Sequence, residues 1–239
     1  MSVSASPETA SPDTASLTGL TDSNDRFPIV VLISGNGSNL QSIIDSRSNS
    51  SPIIDIRAVL SNNPTAYGLE RASKAGIATA VVNHRDYTDR QSFEAALIAE
   101  IDRHQPALVV LAGFMRILTA NFVNHYLGTI NNIHPSLLPL YPGLNTHQRA
   151  IENGDNAAGA TVHCGTPEVE GGPIIIQAHV QVQPADSSAD LASRVLIQEH
   201  IIYPKAIQWI AQGRLQIRDN LVLLDGEQSP EQQVHSNEI

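Results

Sequence analysis

Residues 28–39 read PIVVLISGNGSN, a short apolar run that ends in a glycine-rich turn. Six consecutive residues without a charged or polar side chain, 28–33, are typical of a parallel strand that is buried on both faces. Leu40, Ile43 and Ile44 then recur at helical spacing, so the turn joins a strand to a helix. This strand–turn–helix unit predicts an α/β fold.

The same unit recurs along the chain. Strands predicted at 53–60, 78–82, 107–111 and 129–133 alternate with helical patterns at 65–74, 87–104 and 119–126. The alternation predicts a doubly wound, mostly parallel sheet with right-handed crossovers.

The pattern changes after Pro135. A short helix is predicted near 147–153, followed by strands at 160–164 and 173–180. Only eight residues separate these two strands, too few for a crossover, so we expect an antiparallel C-terminal addition. A long helix over 188–212, interrupted by Pro204, and a hairpin over 215–224 complete the predicted α/β domain of residues 27–226.

The two ends of the chain differ from this body in composition. Residues 1–26 are rich in Ser, Thr, Pro and Asp. They predict a disordered acidic tail or, alternatively, a partner-binding or regulatory arm. Residues 227–239 are similarly polar and predict a flexible C-terminal tail.

Composition excludes several classes of function. The net charge is −10 and only Lys74 and Lys205 are lysines, so we expect no nucleic-acid partner. No apolar run approaches the ~18 residues of a membrane span. The N-terminus has neither a basic region nor an apolar signal core, which predicts a cytoplasmic protein. The single cysteine, Cys164, lies in an apolar stretch and is interpreted as a buried apolar side chain. Because the histidines are not spaced as metal ligands, we also expect no metal site.

Several polar segments follow predicted strands, where ligands bind in such sheets. Gly35–Asn39 could present free backbone amides to a phosphate, or could be a tight turn with Ser38 or Asn39 capping the helix. Asn132 and His134 are two residues apart on one strand and therefore face the same side, where they could stabilise an oxyanion and move a proton. Alternatively, this histidine is structural. The segments 113–118, 168–173 and 198–200 could equally be packing or solvated charges.

Five segments together resemble the phosphoribosylglycinamide formyltransferases, the folate-dependent family of purine biosynthesis. They are residues 30–45, 108–119, 130–155, 168–177 and 195–204. The resemblance implies a Rossmann-like formyltransferase fold and transfer of the formyl group of 10-formyltetrahydrofolate, as co-substrate, to the amine of 5′-phosphoribosylglycinamide. It implies small-molecule substrates and no metal, and it leaves a monomer or a homodimer open.

The resemblance also implies three sets of site residues. The catalytic set is Asn132, His134 and Glu170. The ribonucleotide set is Gly37, Ser38, Asn39, Leu196, Ile197, Gln198 and Glu199. The folate set is Arg90, Met115, Arg116, Ile117, Leu118, Asn132, Thr166, Pro167, Glu168, Val169 and Glu170.

Glu170 departs from the family, which has an aspartate at this position to support the histidine. The extra methylene could displace a water that bridges the two side chains, or the loop could absorb it. Two alternatives therefore stay open: a formyltetrahydrofolate hydrolase, which shares the catalytic set but carries an additional N-terminal regulatory domain, and a catalytically impaired paralogue with a regulatory role.

Overall fold

A computed structural model describes residues 14–16, 25–47 and 51–235. The strands are β1 (Thr14–Ser16), β2 (Arg26–Ile33), β3 (Ile53–Ser61), β4 (Ala78–Val81), β5 (Leu108–Leu111), β6 (Ile130–His134), β7 (Ala157–Cys164), β8 (Ile174–Gln181), β9 (Leu215–Arg218), β10 (Leu221–Leu224) and β11 (Gln233–His235). The helices are α1 (Ser38–Ser46), α2 (Tyr67–Lys74), α3 (Arg90–Asp102), α4 (Ala120–His125), α5 (Thr146–Glu152) and α6 (Ser188–Ala211).

Eight strands form one sheet in the order β11-β8-β7-β6-β5-β2-β3-β4. The five strands from β6 to β4 in that order are parallel, whereas β7 is antiparallel to both β6 and β8. The predicted mostly parallel sheet with an antiparallel addition is confirmed. Because β2 lies between β3 and β5, the strand order reverses there and a crevice opens beyond the carboxyl ends of β2 and β5.

Helices cover both faces of this sheet. Val31 and Ile33 of β2 belong to the apolar cluster that contains α1 and α6, whereas Val30 and Leu32 belong to the cluster that contains α3 and α4. This alternation explains the continuous apolar run in β2, because both faces of the strand are buried. Pro204 lies inside α6, which continues through it to Ala211.

The observed start of one helix differs from the predicted start because a side chain caps it. The helix expected from residue 87 begins at Arg90, because the Asp89 carboxylate accepts the Ser92 backbone N–H at 2.7 Å and so acts as the N-cap. A separate 3-10 turn, His84–Asp86, precedes it. Cys164 is buried as predicted, and burial raises the pKa of its thiol to about 12.

The ends of the chain are more structured than expected. β1 pairs with β9 of the predicted β9–β10 hairpin, which the structure confirms, and Arg26 already belongs to β2. Residues 1–13 and 17–24 of the expected acidic tail lie outside the described residues. The sequence predicts a flexible C-terminal tail over 227–239; within it, residues 230–235 form a 3-10 turn that leads into β11 alongside β8. The buried Gln232 amide fixes this segment by donating to the backbone carbonyls of Ile175 and Val222. Within the described residues, no helix is long and apolar enough to cross a membrane.

Candidate functional site

A cleft of about 690 Å³ opens at the carboxyl ends of β5 and β6. Its walls are the segments 113–118, 132–135, 143–147 and 165–170, together with Leu111, Val123, Ile130, His163 and Ser188. Met115, Ile117 and Val169 expose most of their apolar surface there; Met115 is 72% exposed. The cleft combines apolar walls with a few polar groups on its floor, the usual composition of a small-molecule site.

His134, the last residue of β6, is 4% exposed and stands between two oxygen acceptors. Its Nδ1 lies 2.8 Å from Glu170 Oε1, and its Nε2 lies 3.0 Å from the Tyr141 carbonyl oxygen. A ring that donates to both must carry a proton on each nitrogen, so this arrangement suits the imidazolium. His134 is thus placed to hold a transferable proton at the floor of the cleft.

Glu170 contacts the histidine directly despite its extra methylene. One carboxylate oxygen meets His134, and the other accepts the Gly143 backbone N–H at 2.7 Å. Glu170 has a left-handed backbone with φ of 57°, which turns the side chain from the 165–172 loop toward β6. The glutamate therefore ties two loops to the histidine.

Asn132 is oriented by a histidine that the sequence analysis did not single out. The Asn132 Nδ2 lies 3.2 Å from His163 Nε2, and His163 Nδ1 lies 3.0 Å from the Cys164 carbonyl oxygen. Burial, with a smaller contribution from the charge of His134, lowers the pKa of His163 to about 4. The neutral His163 ring therefore donates through Nδ1 and accepts one amide hydrogen of Asn132, which leaves the second amide hydrogen for a ligand.

The register of β6 and β7 places His163 opposite Asn132. In the sequence, the role of His163 is indicated only by its position near the end of the strand predicted at 160–164.

The loop after β6 supplies Tyr141, a second group that was missed. Its hydroxyl donates to Asp155 Oδ2 at 2.5 Å, and Arg149 lies over its ring, 5.1 Å from the centroid. Arg149 also donates to the Pro142 carbonyl oxygen at 2.6 Å. These contacts fix the Tyr141 carbonyl group, which faces His134. The local sequence pattern does not predict them.

The glycine-rich turn begins α1 without a side-chain cap. Gly37 is the N-cap, with φ of 72°, and no side chain caps the helix. The alternative interpretation of this turn, in which Ser38 or Asn39 caps α1, is therefore wrong. A Cβ on Gly37 would stand 2.7 Å from Gly68 Cα, so glycine is also required by the close approach of α2. The first backbone amides of α1 are left without a capping side chain, as an anion site requires.

The turn meets the middle of α6 through one buried hydrogen bond. Asn39 Nδ2 donates to Glu199 Oε2 at 2.6 Å. Burial raises the pKa of Glu199, and the hydrogen bond from Asn39 opposes that rise. Asn39 Oδ1 and Gln198 Oε1 are buried without a partner among the described residues, so this polar cluster has unused hydrogen-bonding capacity.

The structure thus brings most of the expected residues together, in two neighbouring places. The cleft is lined by the catalytic set, by the four residues Met115–Leu118 and by the five residues Thr166–Glu170. The ribonucleotide residues of α1 and α6 meet at the Asn39–Glu199 contact, although the Ile197 side chain is exposed. Arg90 begins α3 and is not part of the cleft lining. Among the described residues, no cluster of three or more His, Cys, Asp or Glu side chains could hold a metal ion.

Comparison with known proteins points to one family. Residues 27–207 match the model of the formyl transferase family. A phosphoribosylglycinamide formyltransferase of Escherichia coli is 53% identical over 204 residues, covering 85% of this chain and 96% of that protein. The Haemophilus influenzae protein of the same name is 46% identical, covering 84% and 95%. The structure of the Coxiella burnetii phosphoribosylglycinamide formyltransferase superimposes with a TM-score of 0.81 at 48% identity, covering 88% of this chain and 99% of that one.

Proposed function

The chain belongs to the formyl transferase family, and on that premise we propose that it transfers the formyl group of 10-formyltetrahydrofolate to the amine of 5′-phosphoribosylglycinamide. The products are the N-formyl ribonucleotide and tetrahydrofolate, in purine biosynthesis. The observation that carries this proposal is the ion pair between the buried His134 and the partly buried Glu170, beside Asn132 on the floor of a cleft of suitable size.

The reaction is acyl transfer to nitrogen. The glycinamide amine forms a bond to the formyl carbon, and the carbonyl oxygen becomes a tetrahedral oxyanion. The free amide hydrogen of Asn132 and the imidazolium of His134 stabilise that charge; such groups typically contribute ~3–4 kcal/mol each. The oxyanion then re-forms the carbonyl as the bond from the formyl carbon to N10 of the folate breaks. N10 receives a proton from the histidine, and the imidazole, now neutral, takes up the proton that the attacking amine loses.

His134 Nε2 is the nitrogen we assign to proton delivery. Nδ1 is held by the Glu170 carboxylate, whereas Nε2 faces only the Tyr141 carbonyl, a neutral acceptor. The weaker of the two bonds is the one that a substrate oxyanion can replace. Because Asn132 and His134 stabilise the oxyanion, the mechanism needs no metal ion.

The two substrates bind, in this proposal, at the two neighbouring places described above. We place the ribonucleotide phosphate at the amides of Gly37–Asn39 and the glycinamide amine near Glu199, with residues 196–199 of α6 completing the site. The flat folate ring lies against Met115–Leu118 and Thr166–Glu170, where exposed apolar side chains suit a planar aromatic ligand. We also propose cytoplasmic action as a monomer or a homodimer, without a nucleic-acid partner.

The sequence is also compatible with two other functions, a hydrolase and a catalytically impaired paralogue. A formyltetrahydrofolate hydrolase would use the same catalytic set with water as acceptor. A catalytically impaired paralogue was suggested only by Glu170, and the direct contact between this glutamate and His134 weakens that suggestion.

One assay separates the three functions. Tetrahydrofolate release from 10-formyltetrahydrofolate is measured with and without the ribonucleotide, and the formylated product is quantified. We expect release only with the ribonucleotide, with one formylated product for each tetrahydrofolate. Equal release without it would indicate a hydrolase, and no release in either case would indicate a protein that binds without catalysing transfer.

A further inference from the structure

Ser34 links the end of β2 to the segment Gly113–Leu118, one wall of the cleft. Its backbone N–H donates to the Gly113 carbonyl oxygen at 3.1 Å, and its hydroxyl oxygen accepts the Met115 backbone N–H at 2.8 Å. The segment is otherwise half-buried or exposed. These two hydrogen bonds therefore fix the start of that wall to the centre of the sheet.

Asn62, at the end of the neighbouring strand β3, fixes the direction of the Ser34 hydroxyl. The hydroxyl has one hydrogen, which it donates to Asn62 Oδ1 at 2.6 Å, so an oxygen lone pair is left for Met115. Asn62 is only 4% exposed, and His84 Nδ1 lies 3.2 Å from its Nδ2 and 3.0 Å from its backbone carbonyl oxygen. A relay thus runs from Asn62, which His84 contacts, through Ser34 to the Met115 N–H.

We propose that Ser34, held by Asn62, is a positioning residue for the folate substrate. It sets the place of the Met115–Leu118 backbone, against which the flat ring binds. The inference rests on the proposed function, because that function places the folate at this wall. Ser34 itself makes no contact with the reacting atoms in this account, so its loss weakens folate binding rather than the chemistry.

The first test is Ser34→Ala, which removes both hydroxyl bonds and leaves the Met115 N–H without its acceptor. We expect the KM for 10-formyltetrahydrofolate to rise about tenfold, while the KM for the ribonucleotide stays within twofold. An equal rise in both constants would show a general structural role and overturn the proposal, as would no change in either. Ser73→Ala, at the exposed far end of α2, is the matched control and should leave both constants unchanged.

The second test uses Asn62, and its two single variants remain informative even if Ser34→Ala folds poorly. Asn62→Asp keeps an oxygen acceptor for Ser34, and His84 Nδ1 can donate to the new oxygen, so the folate KM should stay near that of the unmodified protein. Asn62→Ala should raise it, and the double variant with Ser34→Ala should be no worse than Ser34→Ala alone. Independent, multiplying effects would contradict the relay.

Calorimetric binding of tetrahydrofolate separates this proposal from the proposed function. If the unmodified protein binds tetrahydrofolate and Ser34→Ala binds it about tenfold more weakly, the relay is supported whatever the turnover. If Ser34→Ala binds equally well, the relay is wrong while the proposed function stands. If the unmodified protein does not bind tetrahydrofolate, both are wrong.

Discussion

At His134, one imidazole ring meets two acceptors of unequal strength, a carboxylate and a backbone carbonyl. The carboxylate holds Nδ1, and the carbonyl offers a position from which the proton on Nε2 can leave. Glu170 does more than supply charge, since it also accepts the Gly143 N–H. The length of the glutamate side chain spans both partners.

Shortening this side chain therefore tests whether the site is built around glutamate. Glu170→Asp introduces the residue that the family resemblance implies at this position, but the shorter side chain cannot reach both Gly143 and His134 from the same backbone position, so we expect kcat to fall about tenfold. Glu170→Gln keeps the length and removes the charge, and it should lower kcat further. Steady-state kinetics with Glu70→Gln as the surface control measures both. A gain in activity for Glu170→Asp would show that glutamate impairs the enzyme.

His163 makes stability depend on pH. Its pKa is lowered to about 4 in the folded protein, against 6.5 when exposed, so the unfolded chain binds the proton first as the pH falls. Stability is unaffected above pH 6.5 and is lost between pH 6.5 and 4, by up to about 3 kcal/mol from this group.

Urea unfolding from pH 7.5 to 4 measures this loss. His163→Gln should show a shallower decline in the free energy of unfolding than the unmodified protein, whereas His235→Gln, at an exposed position, should not. Parallel declines for His163→Gln and the unmodified protein would show that His163 is not the group that takes up the proton.

At the level of elements, the start of α1 is the proposed phosphate site. Gly37→Val is a poor probe of it, because the φ of 72° and the contact with Gly68 would strain the fold itself. Ser38 is better, since it is the first residue of α1 and only partly buried. An acidic side chain there suits the helix dipole but repels a bound phosphate.

Ser38→Asp should therefore raise the KM for the ribonucleotide at least tenfold without lowering the Tm. Ser38→Asn has nearly the same shape without the charge and serves as the matched control, with a much smaller effect. The folate KM should be unchanged in both. If the two variants raise the ribonucleotide KM equally, charge at the helix start plays no part and the phosphate binds elsewhere.

Elements were predictable where the pattern is local. The apolar runs of β2, β3 and β5 predict strands that the structure has, with shifted ends. The eight residues between the strands predicted at 160–164 and 173–180 indicate an antiparallel pair, which the structure has as β7 and β8. The start of α3 and the strand β11 were mispredicted. Both depend on particular contacts, the Asp89 cap and an open edge at β8, that a periodicity does not contain.

For the whole molecule, the sheet order determines which residues meet. Asn132 and His134 could be paired from their spacing on one strand, but His163 becomes their neighbour only through the β6–β7 register, about 30 residues further along the chain. The same holds for Ser34 and Met115, which are 81 residues apart in sequence. Long-range register, rather than local composition, completes the site, and a single sequence shows it only through resemblance.

The central claim is that His134 delivers the proton that lets the formyl group pass to the ribonucleotide. Single-turnover transfer from 10-formyltetrahydrofolate to 5′-phosphoribosylglycinamide, followed by quantifying the formylated product, tests it most directly. We predict that His134→Ala lowers the rate constant at least ~100-fold, while the Kd of the ribonucleotide changes less than threefold and His104→Ala, outside the cleft, behaves as the unmodified protein. A rate constant for His134→Ala within a few-fold of the unmodified protein would contradict the account.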